Sequence, residues 1–319
     1  MAETLQDGPT RTSPLALAAR LVRAAQVARE AEVQQSPNGV RFATFGETGV
    51  TGVDLDRMLE AVPTGIVAAL NANTYYFVPL ALREPPADLA PATADSKSKL
   101  LKPRKPAPPT EHAMVASAYT DEFSNAAICH RNVELGSGKR GVFISTRLLG
   151  DRFALSFEFF INVAHAFVDQ AGVPAAFSDL VWKQALDNTR GETSLDAWES
   201  RNLAFGRPPN ADPQTMPISR RPRSFSPASR SFNAPLSTLD LAPPAIDEKE
   251  RESYLAAAFT DAVAIYLLSL ALDFDYSELR EREYPLLAPA ALSARLRLVA
   301  DLFPPNPGYE FAVRYRRRA

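Results

Sequence analysis

Apolar residues along this chain recur in two distinct periods, and the alternation between them outlines the fold. Val40 to Phe45, Thr74 to Leu82 (TYYFVPLAL) and the GVFIST run at 141–146 read as strands, the second weakened by Pro79. Helical spacing marks Leu15 to about Gln34, Asp54 to Leu70 with Asp54 as its cap, Phe153 to Asp169, PAAFSDLVWKQALDN from Pro174, and SLDAWESRNLAF from Ser194. It returns in Asp247 to Leu272 and in Ala290 to Leu302. His112 to Tyr119 and Ala126 to Leu135 add extended segments, GSGKRG makes a turn into GVFIST, and YEFAVRYRRR alternates like a closing strand. Strands early and helices late predict an α+β, mostly helical domain with a small sheet and long buried helices.

Two stretches break the pattern. Residues 84–110 are rich in Pro and Lys, and residues 206–246 are dense in Pro, Ser and Arg; neither carries enough apolar surface to offset the entropy of ordering. The expected organisation is therefore a loose tail over 1–13 and one domain over 14–319 with these two mobile insertions.

The Phe153–Asp169 segment concentrates the candidate chemistry. Glu158, Asn162, His165 and Asp169 lie at offsets of 4, 7 and 11 residues, within roughly 60° of one another on a helix. A polar line on an otherwise apolar helix predicts a paired, hydrogen-bonded or ligated cluster. A set drawn from His165, Glu158 and Asp261, with His130 from a preceding strand, suits zinc, iron or manganese, while a satisfied core histidine needs only a carboxylate or carbonyl neighbour. Glu158 and Asp169 are roughly 16 Å apart along one helix, so a metal would use a subset.

The segment resembles gluzincin metallopeptidases, in which an edge strand precedes a helix bearing His-Glu-x-x-His and a later helix adds a glutamate. Here GVFIST precedes Ile161-Asn162-Val163-Ala164-His165, and SYLAAAFTDAVAIYLL from Ser253 stands where the later helix would. The resemblance keeps the second histidine as His165, replaces the first with Ile161 and the base with Asn162, and puts Ser253 or Ala257 at the glutamate, with Asp261 as a supporting carboxylate. It implies a zincin-like domain that has lost the metal-bound water and its base, a non-catalytic scaffold engaging a macromolecular partner and needing no cofactor.

Composition narrows the rest. A single cysteine, Cys129, excludes an intramolecular disulfide, and its neighbour His130 would lie on the opposite face of a strand, leaving a buried, unactivated thiol. The N-terminus lacks the order of a secretory signal, so a cytoplasmic protein is expected. Tyr254 to Leu272 is near membrane-spanning length but holds Thr260, Asp261 and Ser269, which favours a core helix and no membrane span.

A net charge of -2 gives no general attraction to nucleic acid. Local basic runs are the exception: Lys97, Lys99, Lys102, Arg104 and Lys105; Arg220, Arg221 and Arg223; and Arg314, Arg316, Arg317 and Arg318. The second reading is a metal-dependent hydrolase built on His165, Glu158 and Asp261. The basic runs would contact an acidic partner or phosphates, which opens a third, as an assembly or coat-type subunit.

Overall fold

The computed structural model describes residues 21–83, 113–211, 246–276 and 284–312. The chain is mixed α+β, as its periodicities predict. Where the sequence reads as one domain, the contacts fall into two compact units, Met1–Phe167 with Pro305–Tyr309, and Val168–Pro304 with Glu310–Ala319.

The first unit is built on two sheets. Its described elements are β1 (Leu21–Arg23), α1 (Ala24–Glu30), β2 (Gln34–Gln35), β3 (Arg41–Thr44), α2 (Gly52–Glu60), α3 (Thr64–Val67), β4 (Asn73–Val78), β5 (Leu80–Leu82), β6 (Met114–Ala116), α4 (Asp121–Ser124), β7 (Ala127–Ile128), β8 (His130–Gly136) and β9 (Lys139–Ser145). The larger sheet has the order β2-β3-β4-β9-β8. Its central strands β3, β4 and β9 are parallel, and its outer pairs are antiparallel. The smaller sheet runs β1-β6-β5-β7.

Pro79 divides what the sequence offers as one strand. β4 pairs with β3 and β9, whereas β5, one residue past the proline, pairs with β6 and β7 in the other sheet. A residue without an amide proton is tolerated at such a corner and not inside a ladder. Ser145 fastens the two sheets: its hydroxyl donates to the Ile128 carbonyl at 2.5 Å and accepts from the Ala81 amide at 2.7 Å.

All of β4 is buried, and its side chains alternate between two cores. Tyr75 and Phe77 pack against Phe159 of α5 (Arg152–Ala171), with ring centroids at 5.1 and 5.8 Å. Tyr76 stacks on Phe143 at 4.5 Å in a cluster with Ala24 and Val27 of α1. The β8–β9 hairpin turns through Ser137 and Gly138, both at positive φ, as the Gly-rich GSGKRG motif predicts.

Three boundaries differ from the sequence reading. Leu15–Gln34 is not one helix: its described part is β1, the short α1, then β2. The 54–70 helix is two, interrupted at Pro63, and Thr51 rather than Asp54 is the cap, its Oγ1 accepting from the Asp54 amide at 3.1 Å. Residues 309–312 form no strand, and the remainder of the closing segment lies outside the described residues.

The second unit is helical: α6 (Ala175–Leu186), α7 (Leu195–Ala204), α8 (Glu248–Ala271) and α9 (Pro289–Leu302), with α7 and α9 packed along α8. Ser194 caps α7, as expected, and Asp247, where the helical pattern begins, caps α8. The 18-residue apolar window of α8 has mean hydropathy 1.7 and is 83% buried inside the protein, compatible with a core helix.

Glu192 lies at the centre of this unit with no exposed surface. Its carboxylate accepts from Arg201 Nη1 at 3.1 Å, Arg295 Nη1 at 2.9 Å and the Tyr254 hydroxyl at 2.7 Å. Its backbone zips onto Pro285 and Leu287 at 3.0 Å each, an approach that requires glycine at 191, where a Cβ would collide with the Leu286 carbonyl. Removing the one carboxylate that two buried guanidinium groups share leaves both uncompensated. Glu192→Ala therefore lowers stability by about 3–5 kcal/mol, read in urea by fluorescence of Trp182 and Trp198, both of which belong to this unit; an unchanged midpoint would contradict it.

Candidate functional site

A cleft of about 390 Å³ opens in the first unit, lined by Thr48, Gly49, Val50, Thr51, Asp54, Tyr119, Thr146, Arg147, Gly150, Asp151, Arg152 and Leu155. That volume falls in the range of small-molecule sites, about 300–1,000 Å³. Its position follows from the sheet. The loops after β3 and β9, with the first turns of the helices that follow them, supply all of the lining but Tyr119, so the cleft lies at the carboxyl ends of parallel strands, where open α/β sheets bind ligands.

Thr146 holds the two loops together. Its hydroxyl is 2.8 Å from the Thr48 carbonyl and 3.1 Å from the Val78 carbonyl, and its amide donates to Val78 at 2.8 Å. The helices that follow begin at the rim, each capped from within. Thr51 Oγ1 caps α2 and donates to Asp54 Oδ2 at 2.7 Å, while Asp151 Oδ1 accepts from the Ala154 amide of α5 at 2.7 Å. Asp54 also faces Arg152 at 3.4 Å.

Arg147 differs from these neighbours, since no side-chain hydrogen bond or ion pair holds its guanidinium among the described residues. It lies against Gly49, at φ 69°, where a Cβ would collide with Nη1. The cleft thus combines a guanidinium with no bonded partner among the described residues, the Arg152–Asp54 pair, the Asp151 carboxylate, threonine hydroxyls, an exposed tyrosine ring and a buried apolar floor at Leu155.

The polar line on α5 is present but not buried along its length. Asn162 is buried and donates to the Glu158 carbonyl and carboxylate at 2.8 and 3.1 Å, whereas His165 and Asp169 are exposed. Their hydration removes the burial cost that made a ligated cluster necessary. Glu158 instead meets His130 from β8, Nδ1 to Oε1 at 2.5 Å, so the predicted set brings together two of its members. His165 sits about 10 Å further along the helix axis from Glu158.

Asp261 of α8 accepts from Thr193 at 2.8 Å and from Ser194. Among the described residues, no group of three or more His, Cys, Asp and Glu side chains is arranged to hold a metal ion. GVFIST is an interior strand between β4 and β8, where the gluzincin resemblance calls for an edge. Cys129 is exposed rather than buried, and partial desolvation followed by the charge of Glu158 raises its thiol pKa, disfavouring thiolate. All of the basic runs, Lys97 to Lys105, Arg220 to Arg223 and Arg314 to Arg318, lie outside the described residues.

No family model, curated protein or solved structure matches the chain.

Part of the Asp261 surface stays accessible, yet dense packing dominates its ionisation. Desolvation first, opposed by Ser194 and Thr193, raises its pKa from 3.8 to about 6. A carboxyl whose pKa rises on folding contributes stability that is complete below the unfolded value and is lost as pH climbs through the folded one. The wild-type protein consequently loses ~1–3 kcal/mol relative to Asp261→Asn between about pH 4 and pH 7; urea midpoints across that range check this, and a pH-independent difference would refute it.

Proposed function

We propose that the first unit is a non-catalytic binding module for a small polar ligand, which it holds through an anionic group at the carboxyl ends of β3 and β9. The observation that carries this reading is Arg147, a cation in the cleft without a partner among the described residues. Thr51 already accepts at the N-terminus of α2 and Asp151 at that of α5, so the positive charge offered to a ligand is that guanidinium. Thr48 and Tyr119 supply hydroxyls for orientation, and Val50 and Leu155 receive the apolar part of the molecule.

The lining contains neither histidine nor cysteine, which supports recognition over group transfer. The assembly-subunit reading rests on basic runs outside the described residues, and the macromolecular-scaffold reading on the gluzincin resemblance. In the atypical-hydrolase reading, Glu158 is held by His130 Nδ1, which leaves His130 only Nε2 for a metal.

Isothermal titration of the full chain with malonate, citrate and inorganic phosphate tests the proposal. At least one member of this anion class binds the wild type, and Arg147→Ala weakens that binding about ten-fold or more, in keeping with the strength of charge-assisted guanidinium contacts. Gly49→Ala, which displaces the guanidinium without removing it, weakens the same ligand. Equal affinity in wild type and Arg147→Ala, or no heat from any member, would overturn the reading.

A further inference from the structure

Among the described residues, the second unit buries more positive charge than its buried carboxylates neutralise. Arg201 and Arg295 share Glu192, but Arg207, three residues past α7, has no such partner among those residues. It retains 7% of its surface, and its Nε, Nη1 and Nη2 are all buried without a hydrogen-bond acceptor among them. Arg201, fully buried, leaves Nε and Nη2 in the same condition.

The two guanidinium groups feel each other: desolvation first and then the charge of Arg201 lower the Arg207 pKa, while arginine stays protonated in proteins. Phe205 lies under Arg207, ring centroid to Cζ 5.2 Å, and attracts the cation but offers no lone pair. Asp261 and Glu192 do not relieve it, since the first accepts from hydroxyls and the second from Arg201, Arg295 and Tyr254. Asn202 pins the turn that carries Arg207, donating to the Pro209 and Ala211 carbonyls at 2.7 and 2.9 Å.

Buried donors that cannot deprotonate require an acceptor. Five such nitrogens spread over two planar forks match an oxyanion with three or more oxygens. We propose that Arg207 and Arg201 hold a phosphate group, as inorganic phosphate or the head of a phosphomonoester, in the turn that follows α7. Because the nitrogens are covered, the exposed 208–210 part of that turn opens to admit the anion. The site is made of the second unit's own residues and does not rest on the reading of the cleft.

The test uses full-length protein carrying Arg147→Ala, so that the cleft's cation cannot respond. Thermal unfolding is followed by tryptophan fluorescence after long equilibration with inorganic phosphate, with glycerol 3-phosphate, or with sodium chloride at matched ionic strength. Phosphate raises Tm by several degrees near saturation, as ligand linkage requires, and sodium chloride does not.

Adding Arg207→Met abolishes that shift and inverts the order of stability. The variant melts above its parent in sodium chloride, where the unpaired charge is gone, and below it in phosphate. Should the methionine variant fail to fold, Arg207→Lys keeps the charge without the fork and weakens the phosphate response about ten-fold or more. A response to the anion alone assigns free phosphate, and a response to both assigns an ester. A shift equal in sodium chloride, or one that persists unchanged in the Arg207 variants, would overturn the proposal.

Discussion

Two adjacent hydroxyls at the end of β9 hold the first unit's architecture at its critical corner. Ser145 ties β5 and β7 of the smaller sheet to the larger one. Thr146 draws the loop after β3 and the last residue of β4 onto the start of the loop after β9. The chain leaves β4 through Pro79, which cannot join a ladder, so without these bonds nothing local would fix the angle between the sheets. With them, the parallel strands β3, β4 and β9 end together, and the loops that follow face one another across a cleft.

The second unit solves a different problem. Its helices are apolar enough to pack, and α8 is buried over most of its length. Specific registry comes from the Glu192 carboxylate, which receives hydrogen bonds from α7, α8 and α9 at once. Such a network costs desolvation energy and stabilises only when every member is satisfied. Arg295 is so satisfied, with Gln184 accepting from its Nε at 2.8 Å. Arg201 keeps two unmet donors and Arg207 three among the described residues, and these carry the second proposal.

Much of the fold was legible because period and capping agree. β3, β9, α5, α6, α7, α8 and α9 fall where alternation, helical spacing, Ser194 and Asp247 place them. The failures were local chemistry outweighed by context. Leu21–Arg23 reads as helix by its alanine-rich surroundings but pairs with β6, and Pro79 marks a change of sheet that no local pattern announces. The cleft was missed for a related reason. Its residues belong to short polar loops, GETGVTG and TRLLGDR, whose value lies in following parallel strands, and parallelism is not written in either loop. Conversely, the line from Glu158 to Asp169 looked costly because every residue around it is apolar, yet its far half, His165 and Asp169, faces solvent. The partner of Glu158 was within the candidate set, as His130, and the contact joins them as a pair.

The most direct test of the cleft is to map a bound anion on the backbone by amide chemical-shift perturbation, titrating isotope-labelled full-length protein with malonate. Shifts concentrated at residues 48–54 and 146–152, titrating together and absent in Arg147→Ala, are the predicted result. Perturbations confined to other segments, or a pattern unaltered by the arginine substitution, would contradict a ligand site at the carboxyl ends of β3 and β9.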